Sequence, residues 1–91
     1  MGPARVYRLT ADGVAGPTGK GLTLYAIVVG KAVAGGTIAV YNGKDTSGTQ
    51  IATLAMDVAT TFDFGNPGAF MDGGIYLDLT GSSPDVTVVA G

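Results

Sequence analysis

The sequence predicts an all-β fold: a single β-sandwich of about seven or eight strands, jelly-roll-like, with an immunoglobulin-like sandwich as the alternative. Three observations predict it. Glycine supplies 16 of the 91 residues, and Gly- and Pro-containing clusters cut the chain about every 8–12 residues, the strand spacing of sandwiches and barrels. Between the cuts, apolar residues alternate with polar ones or run together over strand lengths. No longer segment carries a convincing helical period; the nearest, residues 50–60 with Ile51, Leu54 and Val58, is short and rich in Thr.

In chain order, residues 5–10 form a first strand with Val6, Tyr7 and Leu9, followed by turns at Ala11-Asp12-Gly13 and at residues 16–19. Residues 20–30 are the strongest strand. They are nearly continuous in apolar residues, as in a strand covered on both faces. Residues 31–36 are a small-residue loop. Residues 37–42 alternate Ile38 and Val40 against Thr37, Ala39 and Tyr41, the pattern of a half-buried strand. A polar loop at 42–48 leads to residues 50–55, which carry Ile51 and Leu54 and suit a sheet edge. Residues 58–64 alternate again, with Val58, Thr60, Phe62 and Phe64 on one face. Residues 65–68 are a turn cluster, and Phe70, Met71 and Asp72-Gly73-Gly74 follow. Residues 74–79 set Ile75, Leu77 and Leu79 against Tyr76 and Asp78. The chain turns at residues 81–84, and residues 85–90 close it with Val86 and Val88 facing one way. The predicted core is Leu22, Leu24, Val28, Ile38, Val40, Ile51, Leu54, Phe62, Phe64, Ile75, Leu77, Val86 and Val88.

Residues 1–18 read as an N-terminal strand or arm of the same domain, and residues 19–91 as the sandwich core. A chain of this size buries only about 60–65% of its unfolded surface. There is no Cys to supply disulfides and no Cys/His set for zinc. Charged residues make up 13% and hydrophobic ones 46%. So small a charge for so much apolar surface points to association, as partner contact or self-assembly. The net charge is −2, and the cations Arg5, Arg8, Lys20, Lys31 and Lys44 are scattered. No basic stripe tracks a phosphate backbone, so nucleic acid is not an expected partner. No apolar run approaches the length of a bilayer span, and the first residues lack a signal peptide's apolar stretch, so no membrane partner is expected and synthesis is expected in a cytoplasm.

The residue chemistry argues against an enzyme. With no His, Cys or Glu, a nucleophile has no ordinary base. Asp57, Asp63, Asp72, Asp78 and Asp85 offer carboxylates for a glycosidase-like pair, but each falls in a turn or on an outward strand position, where solvated Asp also discourages edge pairing. Asp45 or Asp72 with loop carbonyls is the available calcium chemistry, without the closing Glu of an EF-hand. Residues 13–21 end in a Gly-Lys pair like a phosphate loop, but the spacing is wrong, Gly21 stands in place of Ser/Thr, and a strand follows. No catalytic residue, metal ligand or cofactor site is expected. Tyr7, Tyr25, Tyr41 and Tyr76 lie on predicted strands, as interface residues or as a sugar platform.

From Gly19 onward the order of features is familiar. An apolar strand (19–29) precedes a strand ending in Tyr41-Asn42-Gly43. A Ser47-Gly48-Thr49 loop opens an Ile51-Ala52 strand. The aromatic segment Thr61-Phe62-Asp63-Phe64 comes next, then Gly73-Gly74-Ile75-Tyr76-Leu77-Asp78-Leu79 and the terminal valine strand 85–89. The pattern resembles small tailed-bacteriophage virion proteins of the capsid decoration (cement) type and covers about four fifths of the chain. The resemblance implies a compact sandwich without enzymatic activity, often a homotrimer, on the outer capsid surface. Its partners would be the major capsid protein and its own copies. The alternative is a tail or fibre accessory domain that binds a host-surface glycan. Arg5 and Arg8 lie before the resembling region. They are candidate capsid contacts, because a guanidinium makes paired hydrogen bonds and tolerates partial desolvation; the simpler and favoured reading is that residues 5–10 are the first strand, with both Arg side chains in water.

Overall fold

The computed structural model describes residues 4–19, 21–65 and 68–91. Readings that rest on Pro3, Lys20, Asn66 and Pro67 fall outside the described residues. The strands are β1 (Arg5–Leu9), β2 (Gly13–Val14), β3 (Leu22–Val29), β4 (Thr37–Asn42), β5 (Thr49–Ala55), β6 (Thr61–Asp63), β7 (Ala69–Met71), β8 (Ile75–Thr80) and β9 (Val86–Ala90).

They form two antiparallel sheets. Sheet A has the order β1-β9-β3-β6, with β7 also paired to β3; sheet B has the order β2-β8-β4-β5. β6 pairs with Ala26–Val28 and β7 with Leu22–Leu24 of the same strand, so β6 and β7 are two halves of one broken edge. Counted that way, eight strands make two four-stranded sheets. Apart from the β4–β5 hairpin and the break between β6 and β7, every connection crosses from one sheet to the other. This is jelly-roll order.

The inner layer follows from period-two alternation. Ile38 and Val40 on β4, Ile75, Leu77 and Leu79 on β8, and Val86, Val88 and Ala90 on β9 are buried between the sheets. On β3 the alternation changes phase. Leu22 and Leu24 point inward, and so do Ile27 and Val29, because a bulge between Leu24 and Ala26 inserts one extra residue. Val28, expected in the core, is therefore half-buried and looks outward. The expectation that this strand is covered on both faces fails for a simple reason: a two-layer sandwich covers only its inner faces. Thr23, Tyr25, Ala26 and Val28 remain partly open.

Other core assignments also shift. Ile51 is 42% exposed, because Ala52 and Leu54 face Val40 and Ile38 across the β4–β5 ladder and Ile51 falls at a bulge. Leu54, Phe62 and Phe64 pack against the core while half-buried. Val58 is 61% exposed, and the strand predicted over 58–64 shrinks to β6. Ala15, Val33, Met56 and Met71 are buried instead. Val33 and Met56 are held by backbone bonds: Val33 N–H donates to Met56 C=O, and Met56 N–H donates to Gly36 C=O. Gly13, read as part of a turn, opens the two-residue β2 against β8. Gly81, which ends β8, has φ +109°, and a Cβ there would stand 2.5 Å from Val33 Cγ1. Only glycine fits that turn comfortably.

Candidate functional site

The described residues contain no buried polar or charged side chain, so any site lies on the outer surface. A shallow cleft of about 400 Å³ is lined by Thr10, Ala11, Asp12, Leu79, Gly81 and Pro84. Its single ionisable group, Asp12, already accepts the Leu79 N–H at 2.7 Å through Oδ1. The cleft pairs no nucleophile with a base.

Apart from Asp12 and Asp78, which lie together, the carboxylates are dispersed. Asp63 accepts the Gly65 N–H at 2.7 Å. Asp72 accepts Asn42 Nδ2–H at 2.9 Å, while Asn42 Oδ1 takes the Gly73 N–H at 2.8 Å. Asp45 is engaged by the Ser47 N–H and hydroxyl, hydrogen bonds that hold its pKa below the usual carboxylate range. Asp57 is exposed beyond β5. The group set beside Asp78 is Asp12, from the turn between β1 and β2, which as a sequence is only a turn residue. Loss of solvent, then the Asp12 charge, raises the Asp78 pKa. No three His, Cys, Asp or Glu side chains converge to hold a metal ion among the described residues. The Gly-rich segment before β3 turns amides toward the chain itself: Ala15 N–H donates to Ile75 C=O, and Gly19 N–H to Gly73 C=O.

The aromatic residues separate by face. Tyr7 packs on the core from β1. Its ring lies over Gly16, where a Cβ would stand 2.9 Å from Cζ. Tyr41 and Tyr76 are register partners on β4 and β8. Their rings meet edge to face, with centroids 6.1 Å apart and planes at 61°. Desolvation, then nearby carboxylates led by Asp12, raises the Tyr76 pKa.

The outer face of sheet A is different. Across the strands, Val6, Val89, Ala26 and Asp63 form one row, and Arg8, Thr87, Val28 and Thr61 the next. Phe70 stands opposite Thr23 at the far end. Val6 is 70% and Phe70 68% exposed, with Val28, Val89, Tyr25 and Ala26 half-exposed between them. Arg8 lies on this face, but its guanidinium is already engaged within the chain. Nε and Nη2 donate to the two Asp85 oxygens at 2.9 and 3.0 Å, which lowers the Asp85 pKa. Arg5 is exposed at the start of β1, on the sheet edge. The structure thus places the two arginines differently: Arg8 braces β1 against the turn before β9, and Arg5 stands on the edge strand.

Compared with known protein families, the chain matches no family model, and it matches no curated protein.

Proposed function

We propose that this protein is a phage capsid decoration (cement) protein that binds the outer surface of the head and stabilises contacts between major capsid subunits. Copies would be grouped as homotrimers. The observation that carries the reading is the outer face of sheet A. Val6 and Phe70 stand open, and Tyr25, Ala26, Val28 and Val89 lie between them. A large exposed apolar patch marks an interaction surface, and desolvating it is the main favourable term in association. Arg8, ion-paired with Asp85, and Asp63 and Thr61 end the two rows and give the apolar side chains a polar rim, the usual anatomy of an interface. In the cleft, Asp12 is bonded to the Leu79 N–H and stands beside Asp78, with no nucleophile between them. Sequence features from Gly19 to the C-terminus, which resemble decoration proteins, support the same choice.

Such a protein works by repetition. Each copy bridges two or more shell subunits, and many modest contacts add up over a symmetric lattice. Quantifying the protein in purified particles tests the reading: hundreds of copies per particle are expected of a shell component, and a handful would overturn it. The second reading, a tail or fibre domain that binds a host-surface glycan, draws on Tyr41, Tyr76, Asp12 and Asp78. These put aromatic surface and hydrogen-bond acceptors on the outer face of sheet B. A handful of copies together with glycan binding abolished by Tyr76→Ala would favour it.

A further inference from the structure

We propose that Asn42-Gly43 is a deamidation site, which the turn between β7 and β8 holds unreactive and whose conversion opens the contact with that turn irreversibly. The inference goes beyond the shell reading and does not depend on it.

An asparagine followed by glycine is chemically labile, because no side chain shields the glycine nitrogen. Once Gly43 N has given up its proton, it attacks Asn42 Cγ. A new N–C bond forms and the Cγ–Nδ2 bond breaks. The side-chain amide leaves as ammonia after taking one proton from solvent, matching the one Gly43 lost. The resulting succinimide takes up one water, and its ring opens to aspartate or isoaspartate. Packing calls for glycine at this position, since a Cβ on Gly43 would stand 3.0 Å from Gly48 Cα. The second asparagine, Asn66, precedes Pro67, whose nitrogen carries no hydrogen and cannot close the ring.

The fold engages the groups that this reaction needs. Asn42 ends β4, opposite Thr49 on β5 and Ile75 on β8. The Gly43 N–H donates to Gly74 C=O at 3.1 Å. Asn42 Nδ2–H donates to Asp72 Oδ1 at 2.9 Å, and Asn42 Oδ1 accepts the Gly73 N–H at 2.8 Å. Only one orientation of the amide satisfies both partners: the flipped one sets oxygen against carboxylate and N–H against N–H. Ring closure takes the proton from Gly43 and expels Nδ2, so it destroys two of the three bonds. It therefore requires the junction to open first.

The product does not refit. Either acid places an oxygen where Nδ2 donated, against the Asp72 carboxylate, so a hydrogen bond becomes a like-charge contact. Isoaspartate also adds a methylene to the main chain at the end of β4, where Thr49 and Ile75 set the register. The β4–β5 loop then separates from the β7–β8 turn.

Deamidation converts an amide to an acid, which intact mass detects and fragmentation assigns to Asn42. The parent is followed folded and in guanidinium chloride, both in mildly alkaline buffer. The folded chain should convert at least about tenfold more slowly. Asp72→Ala deletes a charge-assisted bond at an exposed residue and should speed conversion of the folded chain about tenfold. Asp57→Ala, exposed beyond β5, should leave the rate unchanged. Asn42→Asp reproduces one product, and its Gly43 and Gly73 amide hydrogens should exchange about tenfold faster than the parent's. Circular dichroism verifies each fold, and the comparison of folded with denatured parent needs no variant. No conversion in denaturant, equal rates in the folded and denatured parent, equal rates for Asp72→Ala and Asp57→Ala, or unchanged exchange in Asn42→Asp would each overturn the inference.

Discussion

The two sheets share one inner layer and differ on their outer faces. Inside, Leu24, Ile27 and Val88 of sheet A meet Ile38, Ile75 and Leu77 of sheet B, all fully buried. Outside, sheet A offers Val6, Val28, Val89 and Phe70 with one internally satisfied ion pair. Sheet B offers the Tyr41–Tyr76 pair, Thr37 bonded to Thr80, an Asp78 carboxylate close to Asp12, and a single large exposed aliphatic side chain on its strands, Ile51. The same alternating pattern builds both cores, so folding does not require the outer faces to differ. An apolar outer face adds little to a monomer's stability and favours association, whereas a polar one maintains hydration. On the proposed reading, this difference makes sheet A the docking face and sheet B the face kept toward water.

The largest expected effects fall where the sheets are alike. Leu24→Ala on sheet A and Leu77→Ala on sheet B should each cost about 2–5 kcal/mol in chemical denaturation, because both delete fully buried methyl groups. A large asymmetry between them would mean that one sheet is only loosely docked on the other.

Smaller effects of opposite sign are expected from two carboxylates. Asp85 has its pKa lowered, chiefly by the hydrogen bond from Arg8. Its contribution is present above the ordinary carboxylate range and disappears as pH falls through the lowered pKa. Asp85→Asn should therefore be less stable than the parent at pH 7, with the gap closing in acid. Asp78 has its pKa raised, by desolvation and then by Asp12. Its charged form costs stability at neutral pH, and that cost is absent below about pH 4. Asp78→Asn should be more stable than the parent at pH 7, again with the gap closing in acid. Denaturation midpoints between pH 3 and 8 check both; two changes of the same sign would contradict the electrostatic contrast between the faces.

The smallest expected effect on stability comes from exposed sites. Val6→Thr should change unfolding by no more than about 0.5 kcal/mol. A larger loss would show that this residue packs within the monomer.

The alternating strands were legible because one residue class sits at every second position: Ile38 with Val40, Ile75 with Leu77, and Val86 with Val88. Two kinds of feature were not. The β3 bulge leaves no mark in an almost unbroken apolar run, so the phase change that exposes Val28 and buries Ile27 is fixed only by pairing with β9. Met56, Met71 and Val33 lie at strand ends or in loops, where burial depends on how the sheets close over them. The surface was less legible. Composition counts apolar and charged residues but does not assign them to faces, because which side chains face outward depends on register. Arg8 and Asp85 are 77 residues apart in sequence and meet only through the β1–β9 ladder. Neither a period nor a motif announces that pair.

The central claim, that the outer face of sheet A does the docking, has a direct test in matched lysine substitutions. Val89 lies at the centre of the sheet A face, between Val6 and Ala26. Ala39 lies at the centre of the sheet B face, between Thr53 and Asp78. Val89→Lys and Ala39→Lys each place one cation in the middle of a face, and circular dichroism verifies both folds. Binding to undecorated capsids should weaken at least about tenfold for Val89→Lys and less than about twofold for Ala39→Lys. Equal binding by Val89→Lys and the parent, or a greater loss with Ala39→Lys, would contradict the account.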